Sequence, residues 1–372
     1  MKKRIPLIAP DLEFEDVRRD IERILMSGVL TAGPYVCEFE RSVAERVGVD
    51  HAVATTSATT AIHLALVVCG VGPGDEVLIP DFTFPATANA VIQTGATPVF
   101  VDSGHADFAM DPESARTLIS PRTRVILPVD PFGQPANYLA LERLAADAGL
   151  HLVVDAACSL GASRAGRECG AHGEMGCFSF HPRKVVTCGE GGMVTTNDAN
   201  LADQLRLRRN HGLVRIEGKV PEFVEPAFNY RMTEIQAALG LSQMRRIESI
   251  LSDRRLTANR YDDALSKVSG VSVRTATAEE TWSYQSYVVL LDDEIDRNAA
   301  IANMDSMGIE TTIGTYACHQ HPAFCSQGIR SDGLSNATRY ANQTLTLPLV
   351  ANMSTSEVDR VVAALISTIG QQ

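Results

Sequence analysis

Short apolar runs rich in β-branched residues alternate with helical patterns between about residues 50 and 200. This alternation is typical of βα units around a mostly parallel, buried sheet. The predicted strands are 51–55, 76–80, 97–102, 124–128, 151–155, 176–180 and 192–196. The predicted helices are 59–69, 86–94, 112–118, 138–148 and 201–210. We therefore expect an α/β fold of three layers, with ligands bound at the carboxyl ends of the strands.

The pattern changes after residue 229, where apolar residues near helical spacing predict one long helical stretch over 233–265. Beyond it we predict a strand at 287–291 and helices at 298–307 and 356–369. A chain of 372 residues is long enough for two lobes. We expect a large domain with an N-terminal arm at 1–245 and a smaller C-terminal α/β domain at 246–372.

Composition narrows the possible partners. A net charge of -12 argues against a surface that grips a nucleic-acid backbone, although a nucleotide remains possible as a small substrate. The longest apolar stretch, 61–71, is too short to span a membrane, and the amino terminus does not read as a signal peptide, so a cytoplasmic location is expected. Eight cysteines are scattered without a CxxC pair, which favours reduced thiols.

The most informative segment for chemistry is Cys-Phe-Ser-Phe-His-Pro-Arg-Lys, which ends at Lys184 and is followed by Gly-Glu-Gly-Gly. A strand that ends near Ser179 and is broken by a proline presents the Lys184 amine on a loop, beside a hydroxyl suited to phosphate. An amine that is partly desolvated or near other cations can attack an aldehyde. A lone loop lysine is otherwise a solvated surface charge.

Three further segments fit the same chemistry. Asp155 ends an apolar strand, where a carboxylate could keep a pyridine nitrogen protonated or simply cap a turn. Ser57, Ala58 and Thr59 lie between a strand and a helix, where helix-start N–H groups can bind phosphate, although plain capping explains them equally well. Phe84 follows a strand and could stack on a flat ligand, or belong to the core.

These segments together resemble the DegT/DnrJ/EryC1/StrS family of sugar aminotransferases over nearly the whole chain. The other matching blocks are 27–34, 72–77, 132–135, 228–232 and 345–349. The resemblance implies the type I aminotransferase fold of pyridoxal-phosphate (PLP) enzymes, with a large three-layer domain of mostly parallel sheet and a smaller C-terminal domain. It also implies a homodimer with active sites shared between subunits.

The resemblance assigns roles to individual residues. It implies that Lys184 bonds to pyridoxal 5'-phosphate and moves protons, that Asp155 pairs with the pyridine nitrogen, and that Phe84 stacks on the ring. The remaining cofactor contacts it implies are Ser57, Ala58, Thr59, Cys158, Ser179 and, in the neighbouring subunit's site, Asn229. The substrate contacts it implies are Thr31, His181, Arg231 and His319. His181 could equally stabilise its turn.

Three positions depart from the family's pattern. Ala58 stands where Gly is common, which affects how closely the backbone approaches phosphate. Cys158 replaces a Gln or His beside the cofactor's phenolic oxygen, and a thiol is a weak hydrogen-bond partner. Asp130 stands where His is frequent. Some relatives carry His in place of this lysine and are dehydratases, so Lys184 favours transamination.

The expected reaction is amination of a nucleotide-linked keto-deoxysugar. L-Glutamate is the expected amino donor, and pyridoxamine 5'-phosphate is the expected aminated form of the cofactor. The alternatives are a keto-cyclitol as substrate, or a regulatory protein that binds the cofactor without turnover. Cys318, His319, His321 and Cys325 lack the paired spacing of zinc fingers, so the sequence predicts no metal site.

Overall fold

A computed structural model describes residues 3–105, 107–216, 218–325, 330–331 and 333–370. Its largest sheet has eight strands, in which Gly192–Thr196 runs antiparallel to both of its neighbours and all other neighbouring strands are parallel. In spatial order the strands are His51–Thr55, Gly192–Thr196, Met175–Ser179, His151–Asp155, Thr123–Ile126, Glu76–Pro80, Thr97–Val101 and Arg330–Ser331. The prediction of a mostly parallel α/β sheet is confirmed, and seven of these strands lie within two residues of their predicted bounds.

Helices cover both faces of this sheet. Leu152 and Val154 point into one apolar cluster, whereas Val153 between them points into the other. Because successive side chains of a strand face opposite sides, this alternation requires a core on each face and gives the three predicted layers. The helices of this part are Phe14–Ser27, Pro34–Val47, Ala58–Val68, Ala86–Gln93, Pro112–Leu118, Tyr138–Ala148, Ala199–Arg209 and Glu234–Met244.

The predicted helical stretch over 233–265 is helical apart from one break. It is divided into Glu234–Met244 and Ile247–Leu265. At the break, Arg246 leaves helical geometry, and its guanidinium donates to a carboxylate oxygen of Asp11 at 2.9 Å and to the Asp11 carbonyl at 3.0 Å. The predicted domain division at 245–246 coincides with this break.

A smaller antiparallel sheet follows the long helix Ile247–Leu265. Its strands in spatial order are Val271–Ser272, Tyr287–Leu291, Thr344–Leu347 and Thr312–Ile313. The helices Arg297–Ser306, Ser335–Gln343 and Thr355–Ile369 complete this part. Ile250 and Leu251 of the long helix pack in the large core, but Tyr261 and Leu265 pack in the C-terminal core, so the helix joins the two.

The remaining elements are short. The strand Phe82–Thr83 pairs with Tyr316–Ala317 and so brings the C-terminal part of the chain against the large sheet. The others are the strands Ser163–Arg164, Arg167–Glu168, Glu280–Thr281, Leu213–Val214 and Glu222–Phe223, the helix Pro322–Cys325, and the 3-10 turns Pro131–Gly133, Cys169–Ala171 and Cys318–Gln320. Among the described residues, no helix combines the length and apolarity that crossing a membrane requires.

Candidate active site

A cavity of about 410 Å³ opens at the edge of the large sheet where its parallel strands have their carboxyl ends. Its walls come from the segments at the ends of five strands and from two stretches of the C-terminal part. The lining residues used below are Ser57, Ala58, Thr59, Phe84, Thr87, Asp155, Cys158, Ser179, His181, Lys184, Gln285 and Thr315. This volume lies in the range of small-molecule and cofactor sites. The sequence therefore predicted the edge of the sheet and nine of the residues that line the cavity there.

Asp155 is the buried carboxylate of the cavity, with 4% of its surface exposed. The Thr87 hydroxyl donates to one carboxylate oxygen at 2.8 Å, and the Ala157 N–H donates to the other at 3.2 Å. Burial raises the pKa of Asp155, while these two hydrogen bonds and the charge of Lys184 act in the opposite direction. A carboxylate has about four lone-pair sites, so this group has capacity left for a donor from a ligand.

Lys184 lies in the turn that the sequence predicted after Ser179. Its backbone N–H donates to the His181 carbonyl at 2.8 Å, which fixes the turn. Its ammonium nitrogen lies 3.0 Å from the Cys158 sulfur. The structure thus directs the amine into the cavity, and it brings the unusual cysteine into contact with the amine.

The part of the cavity that is suited to binding a phosphate lies at the start of the helix Ala58–Val68. The Ser57 side chain accepts from the Thr60 N–H at 3.2 Å, and the Thr60 hydroxyl accepts from the Ser57 N–H at 3.0 Å. Ser57 is thus engaged in a capping box, as the plain capping interpretation expected. The first N–H groups of a helix have no partner within it, so those of Ala58 and Thr59 remain for an anion.

Gly192 explains how this corner closes. A Cβ atom at Gly192 would collide with the Ser57 carbonyl, so the strand Gly192–Thr196 can approach the helix start only because no side chain intervenes. Ser179, at the end of the neighbouring strand, presents its hydroxyl to the same cavity and accepts weakly from the His181 N–H at 3.4 Å. The glycine-rich block after Lys184 is therefore part of the site's construction.

Phe84 and His181 both line the cavity, and their roles toward cofactor and substrate stay predictions. Phe84 lines the cavity and is 62% exposed, so the alternative of a core phenylalanine is wrong. The nearby Phe82 is the buried ring of that segment. His181 also lines the cavity, and its Nδ1 accepts from the Arg183 N–H at 3.2 Å, so it stabilises the turn as well. Burial lowers the pKa of His181.

Four predicted contacts lie outside this cavity in the single chain. The Thr31 hydroxyl donates weakly to the Met232 carbonyl at 3.4 Å, and the Arg231 guanidinium donates to Asn210 at 2.6 Å. His319 is tied to the fully buried carboxylate of Asp81, with its Nδ1 2.6 Å from that group. Asn229 is exposed. Their roles toward substrate or a second subunit stay predictions.

Sequence reasoning missed several residues of the site. Thr87, Gln285 and Thr315 all line the cavity. Thr87 lay within reach, because it follows Phe84 by three residues. Gln285 donates from its side chain to the Arg183 carbonyl at 2.7 Å and so supports the Lys184 turn from the C-terminal part of the chain. No local sequence pattern predicts such a contact between residues that are far apart in the chain.

Asp130 proves to be a structural residue. It is fully buried and accepts hydrogen bonds from Ser159 at 2.6 Å, from Tyr138 at 2.5 Å and from the Ala136 N–H at 3.0 Å. Burial raises the pKa of Asp130 to about 6, against these three bonds. Asp130 therefore suits this position in place of His, because the two oxygens of its carboxylate can accept all three hydrogen bonds together.

Comparison with known proteins agrees with this geometry. The model of the DegT/DnrJ/EryC1/StrS aminotransferase family matches residues 12–366. GDP-perosamine synthase of Caulobacter vibrioides is 36% identical over 97% of both chains. Spr1654 from Streptococcus pneumoniae, solved in its PLP-form, has a TM-score of 0.94 at 28% identity and 99% coverage of both chains.

DesI, solved in the presence of its TDP-sugar product, has a TM-score of 0.91 at 29% identity, covering 99% of this chain and 93% of that one. Such agreement over whole chains confirms the predicted aminotransferase fold. A family match that spans nearly all of the sequence, together with a lysine and a buried aspartate in one cavity, is sufficient to place the protein. The chain belongs to the DegT/DnrJ/EryC1/StrS aminotransferase family.

Proposed function

We propose that this protein is a PLP-dependent aminotransferase that converts a nucleotide-linked keto-deoxysugar to an amino sugar, with L-glutamate as amino donor. The observation that carries the proposal is that Lys184 and Asp155 line one cavity together with an anion-binding helix start. The PLP-form of Spr1654 supports the cofactor. The names of GDP-perosamine synthase and of the DesI complex with its TDP-sugar product support a nucleotide-linked sugar.

The residues present fit this cofactor. The phosphate would be held by the N–H groups of Ala58 and Thr59 and by the Ser179 hydroxyl, and the ring would lie against Phe84. Asp155 has lone pairs left for a protonated ring nitrogen, and the charge of such a partner would offset the cost of burying the carboxylate. When bound, pyridoxal phosphate supplies an electron-withdrawing ring and an aldehyde carbon.

The protein's own contribution is to hold and move protons. Lys184 Nζ would take a proton from the amino donor's α-carbon and return one to the neighbouring cofactor carbon, and the same steps would run in reverse on the keto-sugar. Asp155 would keep the ring nitrogen protonated throughout, while Thr87 holds the carboxylate in place. Cys158, at 3.0 Å from the amine, would orient Lys184 before reaction.

The assembly belongs to the proposal as well. Large apolar side chains are exposed on the surface, among them Phe14, Met26, Val220 and Phe223, which are 70–83% exposed. Apolar exposure of this extent favours an interface. A homodimer would cover such groups and would carry the exposed Asn229 to the neighbouring subunit's cofactor phosphate. We propose a cytoplasmic location for the enzyme.

Two alternatives are less well supported. A keto-cyclitol would use the same Lys184 chemistry, but the names of GDP-perosamine synthase and of the DesI complex with its TDP-sugar product favour a nucleotide-linked sugar. A regulatory protein that binds the cofactor without turnover would not need a lysine amine and a buried carboxylate facing one cavity. The nucleotide sugar is therefore the substrate class to test first.

Turnover with labelled donor tests the proposal directly. The purified protein, supplied with pyridoxal phosphate and ¹⁵N-glutamate, should transfer the label to one member of a panel of keto-sugar nucleotides, as read by mass spectrometry. Glutamate alone should also lower the absorbance of the bound cofactor. If glutamate and other amino acids leave that absorbance at its starting intensity, the protein is a binder and the catalytic proposal is wrong.

Asn229→Ala should weaken cofactor retention by roughly tenfold, because one hydrogen bond to a charged phosphate is lost. Equilibrium dialysis of the cofactor measures this change, and the exposed Asn200→Ala provides the control. A mixed dimer of Asn229→Ala and Lys184→Ala chains should hold one borohydride-reducible cofactor with wild-type retention only if the sites are shared. A roughly tenfold weaker retention of that reducible cofactor would assign Asn229 to its own chain's site.

A further inference from the structure

Three potential metal ligands lie close together at the edge of the large sheet opposite the cavity, where the strands begin. Cys69 ends the helix Ala58–Val68, His151 begins the strand His151–Asp155, and Glu174 directly precedes the strand Met175–Ser179. One ligand atom from each lies within 4.8 Å of the other two. Within the described part of the chain this is the one group of its kind. No sequence motif links them, because 81 residues separate Cys69 from His151 along the chain and 22 lie between His151 and Glu174.

The arrangement needs little change to bind a metal. A tetrahedral zinc site places its ligand atoms about 3.3–3.6 Å apart, given the usual Zn–S, Zn–N and Zn–O bond lengths. His151 Nδ1 already lies 2.7 Å from Glu174, and the side chains of His151 and Glu174 are 45% and 41% exposed, so both are free to rotate. The backbone of Cys69 is fixed by the hydrogen bond from its N–H to the Ala65 carbonyl at 3.0 Å. The side chains of His151 and Glu174 can therefore rotate toward Cys69, whose backbone is fixed.

The ligand types select the metal. Thiolate and imidazole favour zinc and neighbouring transition metals, whereas magnesium and calcium prefer all-oxygen sites. Burial raises the pKa of the Cys69 thiol to about 12, so the free thiol is protonated at neutral pH. Coordination would convert the thiol to the thiolate and release its proton to solvent.

We propose that Cys69, His151 and Glu174 form a site for Zn²⁺, with a water molecule as the fourth ligand. The three elements that carry these ligands are the same three that carry Ala58, Asp155 and Ser179 at their other ends. Five residues of strand and eleven of helix place the metal roughly 15 Å from the cavity, too far to take part in the reaction. The ion therefore acts as a cross-link that holds together the scaffold of the active site, and the proposal does not depend on the substrate.

The cluster that the sequence singled out does not compete for this role. His319 Nδ1 is engaged by Asp81 at 2.6 Å, and the Cys318 thiol is buried with its sulfur 3.7 Å from the Thr83 carbonyl. Cys325 is an exposed thiol close in sequence to both histidines. A Cys325→Ser variant is therefore a matched control, since it removes an accessible thiol beside histidines without touching the proposed site.

The test is zinc binding to the full-length holoenzyme. Equilibrium dialysis with Zn²⁺ at micromolar concentration should show one more bound ion per chain for the wild type and for Cys325→Ser than for Cys69→Ser. Zn²⁺ should raise Tm by about 2–5 °C in the first two proteins and leave Cys69→Ser unchanged. Co²⁺ should give tetrahedral d–d bands in the same two proteins, at wavelengths longer than the cofactor absorbs.

His151→Asn provides a second variant in case Cys69→Ser folds poorly, since its side chain is exposed. It should lose the same ion while it keeps the wild-type response of cofactor absorbance to glutamate. Equal zinc stoichiometry in wild type, Cys69→Ser and His151→Asn would overturn the proposal, as would loss of the ion in Cys325→Ser. Failure of the aminotransferase assay would leave these binding outcomes unaffected, so the two proposals fail separately.

Discussion

Lys184→Ala should abolish covalent attachment of the cofactor and slow the half-reaction with glutamate by at least about 10³-fold, because the variant loses the proton carrier as well as the covalent link. The structure supports this size of effect, since the Lys184 amine lies in the same cavity as the buried Asp155. Borohydride reduction followed by mass spectrometry of the intact chain measures the attachment. Single-turnover absorbance measures the rate.

The control for this experiment is Lys267→Ala, which removes an exposed lysine outside the cavity. Reduction should add the mass of the cofactor to the wild-type chain and to Lys267→Ala, and should add nothing to Lys184→Ala. An external amine supplied at high concentration should restore part of the rate in Lys184→Ala, because the cavity that received the lysine side chain remains. If reduction still links the cofactor to Lys184→Ala, another amine forms the bond and the central assignment is wrong.

The strands and the cofactor residues were predictable because their signals are local. An apolar run such as Leu152–Val153–Val154 needs burial on both faces, which is typical of a strand in a parallel sheet. Both the fold class of the protein and the end of this strand at Asp155 therefore follow from the sequence. Parallel strands also end at one edge, which brings Asp155 and Ser179 together without further information. The proline and glycines around Lys184 likewise mark a loop at that edge.

Other features could not be predicted, because partners distant in sequence decide them. Arginine is a good helix former, so nothing local shows that the helix breaks at Arg246; its bonds to Asp11 of the N-terminal arm accompany the break. The helix Phe14–Ser27, by contrast, lay within reach of the sequence, because Val17, Ile21 and Ile24 recur at helical spacing.

The same reason explains why several residues of the site were not predicted. Thr87 reads as an ordinary helix residue until the fold places its hydroxyl 2.8 Å from Asp155. Thr315 lies next to the pairing of Phe82–Thr83 with Tyr316–Ala317, and Gln285 is held at the cavity by its bond to the Arg183 carbonyl. Cys69, His151 and Glu174 are likewise unrelated in sequence. Residues that carry chemistry by themselves were therefore identified, whereas residues that act by supporting them were not.

Asp155→Asn should leave cofactor binding largely intact and slow the half-reaction with glutamate by about 10²–10³-fold, the usual effect of removing one electrostatic stabiliser of a developing charge. The substitution keeps the size of the side chain, and an amide oxygen can still accept from Thr87. It removes the negative charge that would keep the ring nitrogen protonated.

The pH dependence separates this role from a structural one. Burial raises the pKa of Asp155 in the cofactor-free protein, and a protonated ring nitrogen would lower this pKa again, so activity should be lost only when the pH falls far enough to protonate the paired carboxylate. Asp155→Asn carries no titrating group here and should lack this acid limb, while Asp107→Asn, which replaces a half-buried carboxylate outside the cavity, should retain it. If Asp155→Asn reacts with glutamate at the wild-type single-turnover rate, the carboxylate does not polarise the ring.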